Sequence, residues 1–384
     1  MIRKIGMVAL TPLLLIILTS CGSTKKMKSK LKENPLWITY KGKKGAPGNG
    51  KHIVLIAADQ EYRSEESMPM LGKILSQRHG FDCTVLFSMN KDNKIDPKVM
   101  DYIPLRDKDG KIIRNEKGRP KQVFLPGHIP GLENLDNADL MIISSRFIRF
   151  SNTGDKEKDA KINKEKFQPF ARYFDSGKPV IGIRTANHGF KFPLPYKWTD
   201  DKGVIRNLHF GVHVLGGTFA GHYGGWHREA TMGVILKDKK DHPILKGVVE
   251  KEIFGPSDVY SMSPKPLFGD VDILVLGQPL TGLKATDPPN KKKKPLPIAW
   301  TKTWKGKNGK KGRVFHITMG SARDQKSNGV RRILINASYW CLHMEKDIKA
   351  DSNIDFIGPY NPTKSGYSDA IRKQRDINEF RLKK

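Results

Sequence analysis

Cysteine is nearly absent from this chain, with three in 384 residues, and no two of them stand at the spacing of a zinc or iron–sulfur site. A Cys-ligated metal is thereby excluded. Cys83 and Cys341 read as buried, inert thiols, and nothing in the sequence supports a disulfide between them. Acidic residues are also scarce: 39 Asp and Glu stand against 69 Lys and Arg, for a formal net charge of +30. Such a surface attracts anionic polymers, lipid headgroups and nucleic acid without choosing among them. The lysines gather in loop-like stretches at 25–32, 291–294 and 302–311, and no helix-turn-helix, zinc-finger or RNP pattern accompanies them. A solvated basic face is therefore expected and specific nucleic-acid recognition is not. Salt-sensitive binding of an acidic polysaccharide through these lysines is a further reading.

A single long apolar run, at 8–18, is too short to cross a bilayer as a helix. It follows Arg3 and Lys4 and is followed by Leu18, Thr19, Ser20 and Cys21, the order of a charged n-region, an apolar h-region and a lipobox. Residues 1–21 thus read as a lipoprotein signal peptide, with Cys21 as the lipidated residue and the mature chain's contact with the membrane. Gly22 after the Cys does not resemble an inner-membrane retention signal, so an outer-membrane anchor facing the periplasm is the preferred reading, with the inner membrane as the alternative. Losing Arg3 and Lys4 takes the net charge from +30 to +28. Residues 22–50, rich in Lys, Gly and Ser, read as a basic tether whose apolar patch at 36–40 can dock on the body. Residues 51–346 read as the domain, and 347–384 as a C-terminal arm or tail.

Within the domain, 52–58 is a continuous apolar run suited to a strand covered on both faces. It leads into Asp59 and Glu61, then to Ser64 as the cap of a helix carrying Met70, Leu71, Ile74 and Leu75. Further strands are expected at 81–87 and 139–145, with 90–130 loop-like between them. Phe167, Phe170 and Phe174 sit at helical spacing before Gly177 and Pro179, where a helix must stop. A short apolar strand, 180–183, then runs into Arg184, Thr185, Asn187 and His188. Beyond it, 208–215 reads as extended, and five glycines among residues 216–227 bend the chain around His222, Trp226 and His227. Strands at 231–236, 271–277, 296–304 and 312–319 follow, with a hairpin turn at 305–311, and a last helix at 330–344. Alternating strand and helix patterns predict an α/β fold with a mainly parallel, doubly wound sheet and helices on both faces.

The order of these pieces resembles the ThuA-like (trehalose utilisation) family of the class I glutamine amidotransferase-like superfamily, whose core is flavodoxin-like. Residues 59–66, 179–189, 217–222, 241–247, 257–260, 297–301, 312–320 and 336–340 carry the resemblance, which spans about 51–346. In the amidotransferases the strand-to-turn elbow reads Gly-x-Cys-x-Gly and exposes a nucleophilic thiolate. Here Gly182 and Ile183 match that frame, Arg184 stands at the cysteine and Ala186 at the second glycine. A guanidinium cannot serve as that nucleophile, so glutaminase activity is not expected. Ser321 stands where many family members carry His. The resemblance implies sugar metabolism, the family being associated with disaccharides and oxidised sugars.

In open α/β sheets, ligands bind beyond the carboxyl ends of the strands. Four turns are expected to converge there: Asp59 and Glu61; Arg184, Asn187 and His188; His222, Trp226 and His227; and Ser321, Arg323 and Asp324. Planar polar groups that bond hydroxyls, beside an aromatic face for the C–H surface of a ring, suit a small sugar or oligosaccharide. His222 is the candidate general acid or base, with Asp59 or Glu61 as its partner and Arg184 holding a developing oxyanion. His188, Asn187, Trp226, His227, Ser321 and Arg323 are the candidate substrate contacts. Plainer roles compete for each: a hydrogen-bonded loop for His222, helix capping for Asp59 and Glu61, a strand-end tie for Arg184, a surface ion pair for Arg323 and Asp324. A non-catalytic carbohydrate-binding lipoprotein would keep the cleft without the chemistry. No cofactor is expected; a divalent metal would draw on His222, His227, Asp59 and Glu61, although no spacing compels one.

Overall fold

In the computed structural model, which describes residues 34–191, 194–200 and 203–383, the apolar runs form one ten-stranded sheet. In chain order its strands are β1 (Ile38–Tyr40), β2 (His52–Ala58), β3 (Asp82–Phe87), β4 (Leu140–Ser145), β5 (Val180–Ile183), β6 (Thr231–Ile235), β7 (Phe254–Gly255), β8 (Asp272–Pro279), β9 (Leu296–Lys305) and β10 (Lys311–Ile317). They lie side by side as β1-β3-β2-β4-β5-β10-β9-β8-β6-β7. From β3 to β10 the neighbours run parallel, and the strands on either flank are antiparallel. The sheet is thus mixed, with a parallel centre. The expected hairpin at 305–311 joins β9 to β10. Burial explains the parallel centre: every residue of β2, β4 and β5 is buried, and only strands covered on both faces can be apolar throughout.

The covers are three helices, α1 (Ser64–Gln77), α2 (Lys156–Asp175) and α3 (Asn328–Cys341). Leu71 and Ile74 of α1 and Ile333 and Leu334 of α3 pack with Ile53 and Leu55 in one core. Phe167, Phe170 and Phe174 of α2 pack with Val54 and Ile56 in the other. Alternate residues of β2 therefore feed opposite cores, as the period of a strand requires. This is an α/β doubly wound, flavodoxin-like arrangement with helices on both faces. Cys83 and Cys341 are free and buried. Among the described residues no helix is long and apolar enough to cross a membrane, and Cys21 lies outside the described residues.

Several boundaries differ from those the sequence suggests. The patch at 36–40 docks as a strand: β1 pairs with β3 at the sheet's edge, so the folded body begins before residue 51. Within 90–130, Asp101–Pro104 and Gln122–Leu125 pair as a hairpin. The stretch 208–215 is not extended; Phe210–Val214 is a π-helical turn, because its apolar residues pack around α2 rather than joining the sheet. Ser64 does not cap α1. Arg63 holds that position in a left-handed conformation, and the Ser64 hydroxyl instead accepts from the Asp59 N–H (2.9 Å). Residues 347–383 form an arm along the body rather than a tail, where the Tyr40 hydroxyl donates to the Phe380 carbonyl (2.5 Å) and Phe87 stacks on Phe380.

Gly182 has a packing reason. A Cβ there would lie 2.6 Å from Leu215 and 2.8 Å from His316 Nδ1, closer than real contacts allow. The fully buried His316 donates from Nδ1 to the Gly182 carbonyl (2.8 Å), and Asn187 Nδ2 donates to its Nε2 (3.3 Å). Burial pushes the His316 imidazole down from 6.5 to about 3, against the pull of the Gly182 carbonyl. Between those values the unfolded chain binds a proton that the folded chain refuses. The stability this group contributes is therefore complete above pH 6.5 and is lost as pH falls toward 3. Urea unfolding at pH 7, 6 and 5 is expected to show stability falling by as much as about 1.4 kcal/mol per pH unit from this group. His316→Gln is expected to flatten the slope, and an equal slope in both proteins would count against the assignment.

Candidate functional site

The strand β5 ends at Ile183, and the chain turns at once into a short 3-10 segment, Arg184–His188. Arg184 takes φ 50°, a left-handed conformation that costs a non-glycine residue about 1–3 kcal/mol. Its side chain over-determines that conformation. Arg184 Nη1 donates to the carbonyls of Asp258 and Thr318, both at 2.7 Å. Nη2 donates to Asp258 Oδ1 (2.9 Å) and to the Tyr62 hydroxyl (3.1 Å). The guanidinium lies 3.7 Å from the Tyr260 ring centroid and 4.4 Å from that of Tyr62. Arg184 is fully buried. Both Nη groups are thus engaged and the Nε is buried without a partner, so the expected oxyanion contact is replaced by a structural one: the arginine clamps Asp258.

The other oxygen of Asp258 faces His222. Thr218–His222 and Tyr260–Ser263 form a separate two-stranded ribbon, with His222 opposite Tyr260 and an irregularity between Phe219 and Gly221. That register brings His222 Nδ1 to 2.7 Å from Asp258 Oδ2, while the imidazole stays 38% exposed and the carboxylate only 1%. Burial opposes charge on Asp258, yet Arg184 and His222 together hold its carboxyl below the ordinary Asp value. A carboxylate there accepts from Nδ1–H and so leaves Nε2 as the basic nitrogen. The partner of His222 is thus Asp258, neither Asp59 nor Glu61.

Asp59 closes the turn after β2. Its Oδ1 accepts from the N–H groups of Glu61 (2.6 Å) and Tyr62 (2.7 Å), and its Oδ2 accepts from the Thr185 hydroxyl. The plainer, turn-forming role wins for this residue. Glu61 does reach the cleft. Its Oε1 accepts from Trp226 Nε1 (2.8 Å) and its Oε2 from the Tyr367 hydroxyl, with Arg146 Nε 4.0 Å away. Both oxygens are engaged, so Glu61 acts as a clamp on two aromatic rings rather than as a free base. Trp226 is 41% exposed, and its ring lies 5.9 Å from that of His222 and 6.4 Å from that of Tyr367.

The remaining candidates divide. Exposed His227 sits beside Trp226, ring centroids 4.1 Å apart. His188 is buried between Phe147 and Phe219 and donates from Nδ1 to Asn187 Oδ1 (2.5 Å). Burial, with Arg146 and Arg184 nearby, pushes its imidazole well below 6.5, so it is a neutral backing for the site. Asn187 is fully buried and spent on His188, His316 and Met262. Ser321 lies in a loop stapled by the buried Asp324, which accepts from the N–H groups of Gly320 and Ser321 (both 2.9 Å) and from Ser257. Arg323 is exposed, and Asp324 makes these contacts in place of the surface ion pair that was one of its two readings. Among the described residues no group of three or more His, Cys, Asp and Glu is placed to hold a metal ion.

Asp258 and Tyr367 are the residues sequence reasoning missed. Asp258 lies within 257–260, one of the stretches that carry the family resemblance, but nothing in the chain joins it to His222, 36 residues away. Tyr367 lies in a segment whose polar composition reads as a tail.

The model of the family described as trehalose utilisation (ThuA) matches residues 129–341, more than half of the 384 residues. No curated protein matches the chain. The matched stretch holds Arg184, His222, Trp226 and Asp258, and leaves Glu61 and Tyr367 outside it.

Proposed function

Because the chain belongs to the ThuA (trehalose utilisation) family, a class I glutamine amidotransferase-like family, we propose that it binds a sugar or oxidised sugar at the carboxyl ends of the parallel strands and moves a proton on it through His222. The contact between His222 Nδ1 and Asp258 Oδ2 carries this reading. A buried carboxylate that fixes the tautomer of a solvent-facing imidazole is the arrangement general acid–base catalysis requires. Asp258 and Arg184 are positioning residues in it, and Trp226 offers its exposed face to the C–H surface of a ring. With a guanidinium at the elbow, the chain is expected to have no glutaminase activity.

Calorimetric titration of mono- and disaccharides, oxidised forms included, tests the binding half. Saturable binding of at least one sugar, weakened by Trp226→Ala, is the expected result. Failure of every sugar to bind would remove the reading. A second reading, a non-catalytic sugar-binding protein, is favoured by the engagement of both Glu61 oxygens, which leaves His222 without a second free acid from that residue. Binding without turnover of any sugar would select it.

The order of residues 1–21 supports membrane attachment through a lipidated Cys21, facing the periplasm from the outer membrane. Metabolic labelling with a radioactive fatty acid is expected to mark the wild-type chain and not Cys21→Ser. Equal labelling, or none, would overturn the anchor.

A further inference from the structure

The hairpin that joins β9 to β10 sets two lysines against each other. Lys305 and Lys311 are Cα partners across it, so their side chains leave the same face with Cβ atoms about 5 Å apart. Like charges placed directly opposite repel, and the pair works against the hairpin it sits in. Among the described residues neither ammonium pairs with a carboxylate, whereas Lys307 in the same turn meets Asp175 at 3.4 Å. An anion held between Lys305 and Lys311 turns that repulsion into attraction on both sides.

Both lysines line a cavity of about 740 Å³, whose aromatic side chains form a continuous band. The ring centroids of Trp304 and Trp198 are 5.5 Å apart, those of Trp198 and His213 5.0 Å, and those of His213 and Phe268 5.3 Å. Trp198 is half-buried and Phe268 is 41% exposed, so the band keeps open ring surface. The two carboxylates of the lining are already engaged. Asp270 accepts from the Thr303 N–H (3.2 Å) and hydroxyl (2.7 Å), and Asp200 accepts from the Val204 N–H (2.9 Å) and Arg206 Nε (2.6 Å). The charge left to meet a ligand is therefore positive, beside an aromatic wall, at a volume within the about 300–1,000 Å³ of small-ligand clefts.

This place is distinct from the His222 cleft. Lys311 opens β10, and Ile317 closes it beside Ile183, the residue before Arg184. The rise along the strand between those two ends is about 20 Å, and nothing in the sugar-binding reading uses the lysine end.

The geometry points to this cavity as a nucleotide site, with the phosphate held between Lys305 and Lys311 and the flat base laid against Trp198 and Phe268. A phosphate group carries close to two negative charges at neutral pH, enough to satisfy two ammonium groups at once, and lysine serves phosphate as a point charge. A base stacks on an aromatic face without needing particular hydrogen-bond partners, which suits a wall made of rings.

Equilibrium dialysis of the full chain at one fixed salt concentration, with AMP, ATP, GTP, adenosine, glucose 6-phosphate and inorganic phosphate, tests this. Wild type is expected to bind at least one nucleotide about tenfold tighter than adenosine, glucose 6-phosphate or inorganic phosphate. The double variant Lys305→Gln, Lys311→Gln, at two exposed positions, should weaken that nucleotide about tenfold. Phe268→Ala should weaken the nucleotide and leave inorganic phosphate unchanged. Because the whole chain carries +30, Lys291→Gln, Lys292→Gln, at two exposed lysines elsewhere, is the control and should bind as wild type does. Thermal melts give a second readout: the nucleotide should raise the Tm of wild type and control but not of the Lys305→Gln, Lys311→Gln protein. Equal affinity for every phosphate would show that no base is read, and an equal loss in the control would reduce the binding to net charge. Either result, or a wild type that binds no nucleotide, overturns the site, and none of them bears on His222.

Discussion

Asp258→Ala is expected to lower the unfolding free energy by about 3–5 kcal/mol, the usual cost of leaving one member of a buried ion pair without its partner. Arg184 and Asp258 are 0% and 1% exposed and meet at 2.9 Å. Removing the carboxylate leaves a guanidinium in the interior with two carbonyls and a phenol for company. Its remaining bonds soften the loss without neutralising the charge, because none of those groups is anionic at neutral pH. Equilibrium urea unfolding measures the effect. The double variant Arg184→Met, Asp258→Leu is expected to recover part of it, since an apolar pair avoids the desolvation both charges suffer. A loss under 1 kcal/mol in Asp258→Ala would show that the carboxylate does not hold the arginine.

His222→Ala should cost less in stability and more in turnover. Its ring is 38% exposed, but its bond to the buried Asp258 carboxylate is lost, so the unfolding free energy is expected to fall by about 1.5–3 kcal/mol. On the proposed catalytic reading, turnover of the sugar substrate is expected to drop by about 10²–10⁴-fold, the usual contribution of a positioned acid or base. Asp258→Asn should also lower turnover, because a carboxamide no longer selects the tautomer with its base facing the cleft. Comparing kcat and KM separates the roles: loss confined to kcat marks proton transfer, and loss confined to KM marks binding alone. Wild-type turnover in His222→Ala would end the catalytic reading.

The contrast between these variants follows from how differently the two residues could be read in the chain. His222 stands out among glycines at 216–227, where a backbone bent around something is a local property. Asp258 has no such mark, because its role depends on a ribbon pairing that sets Tyr260 opposite His222. Arg184 shows the reverse error. Its place at the elbow was plain from Gly182 and Ile183, and its left-handed backbone fits a strained turn. The direction of its side chain was not plain, since that is set by Tyr62, by Asp258 and Tyr260, and by Thr318, which come from three other segments.

The sequence by itself determined the parallel centre of the sheet, through apolar runs such as His52–Ala58 that only two covered faces can accommodate. It also determined the helices, through the spacing of Phe167, Phe170 and Phe174, and the four turns that carry polar residues past the strand ends. These are short-range properties, written within a window of some 10–20 residues. The tertiary structure alone decided which groups meet: that Asp258 rather than Asp59 or Glu61 holds His222, that Arg184 is buried beneath the cleft rather than facing it, and that Tyr367 of the arm reaches Glu61. Each of those contacts joins residues from 36 to 306 positions apart, and periodicity carries no information over such distances.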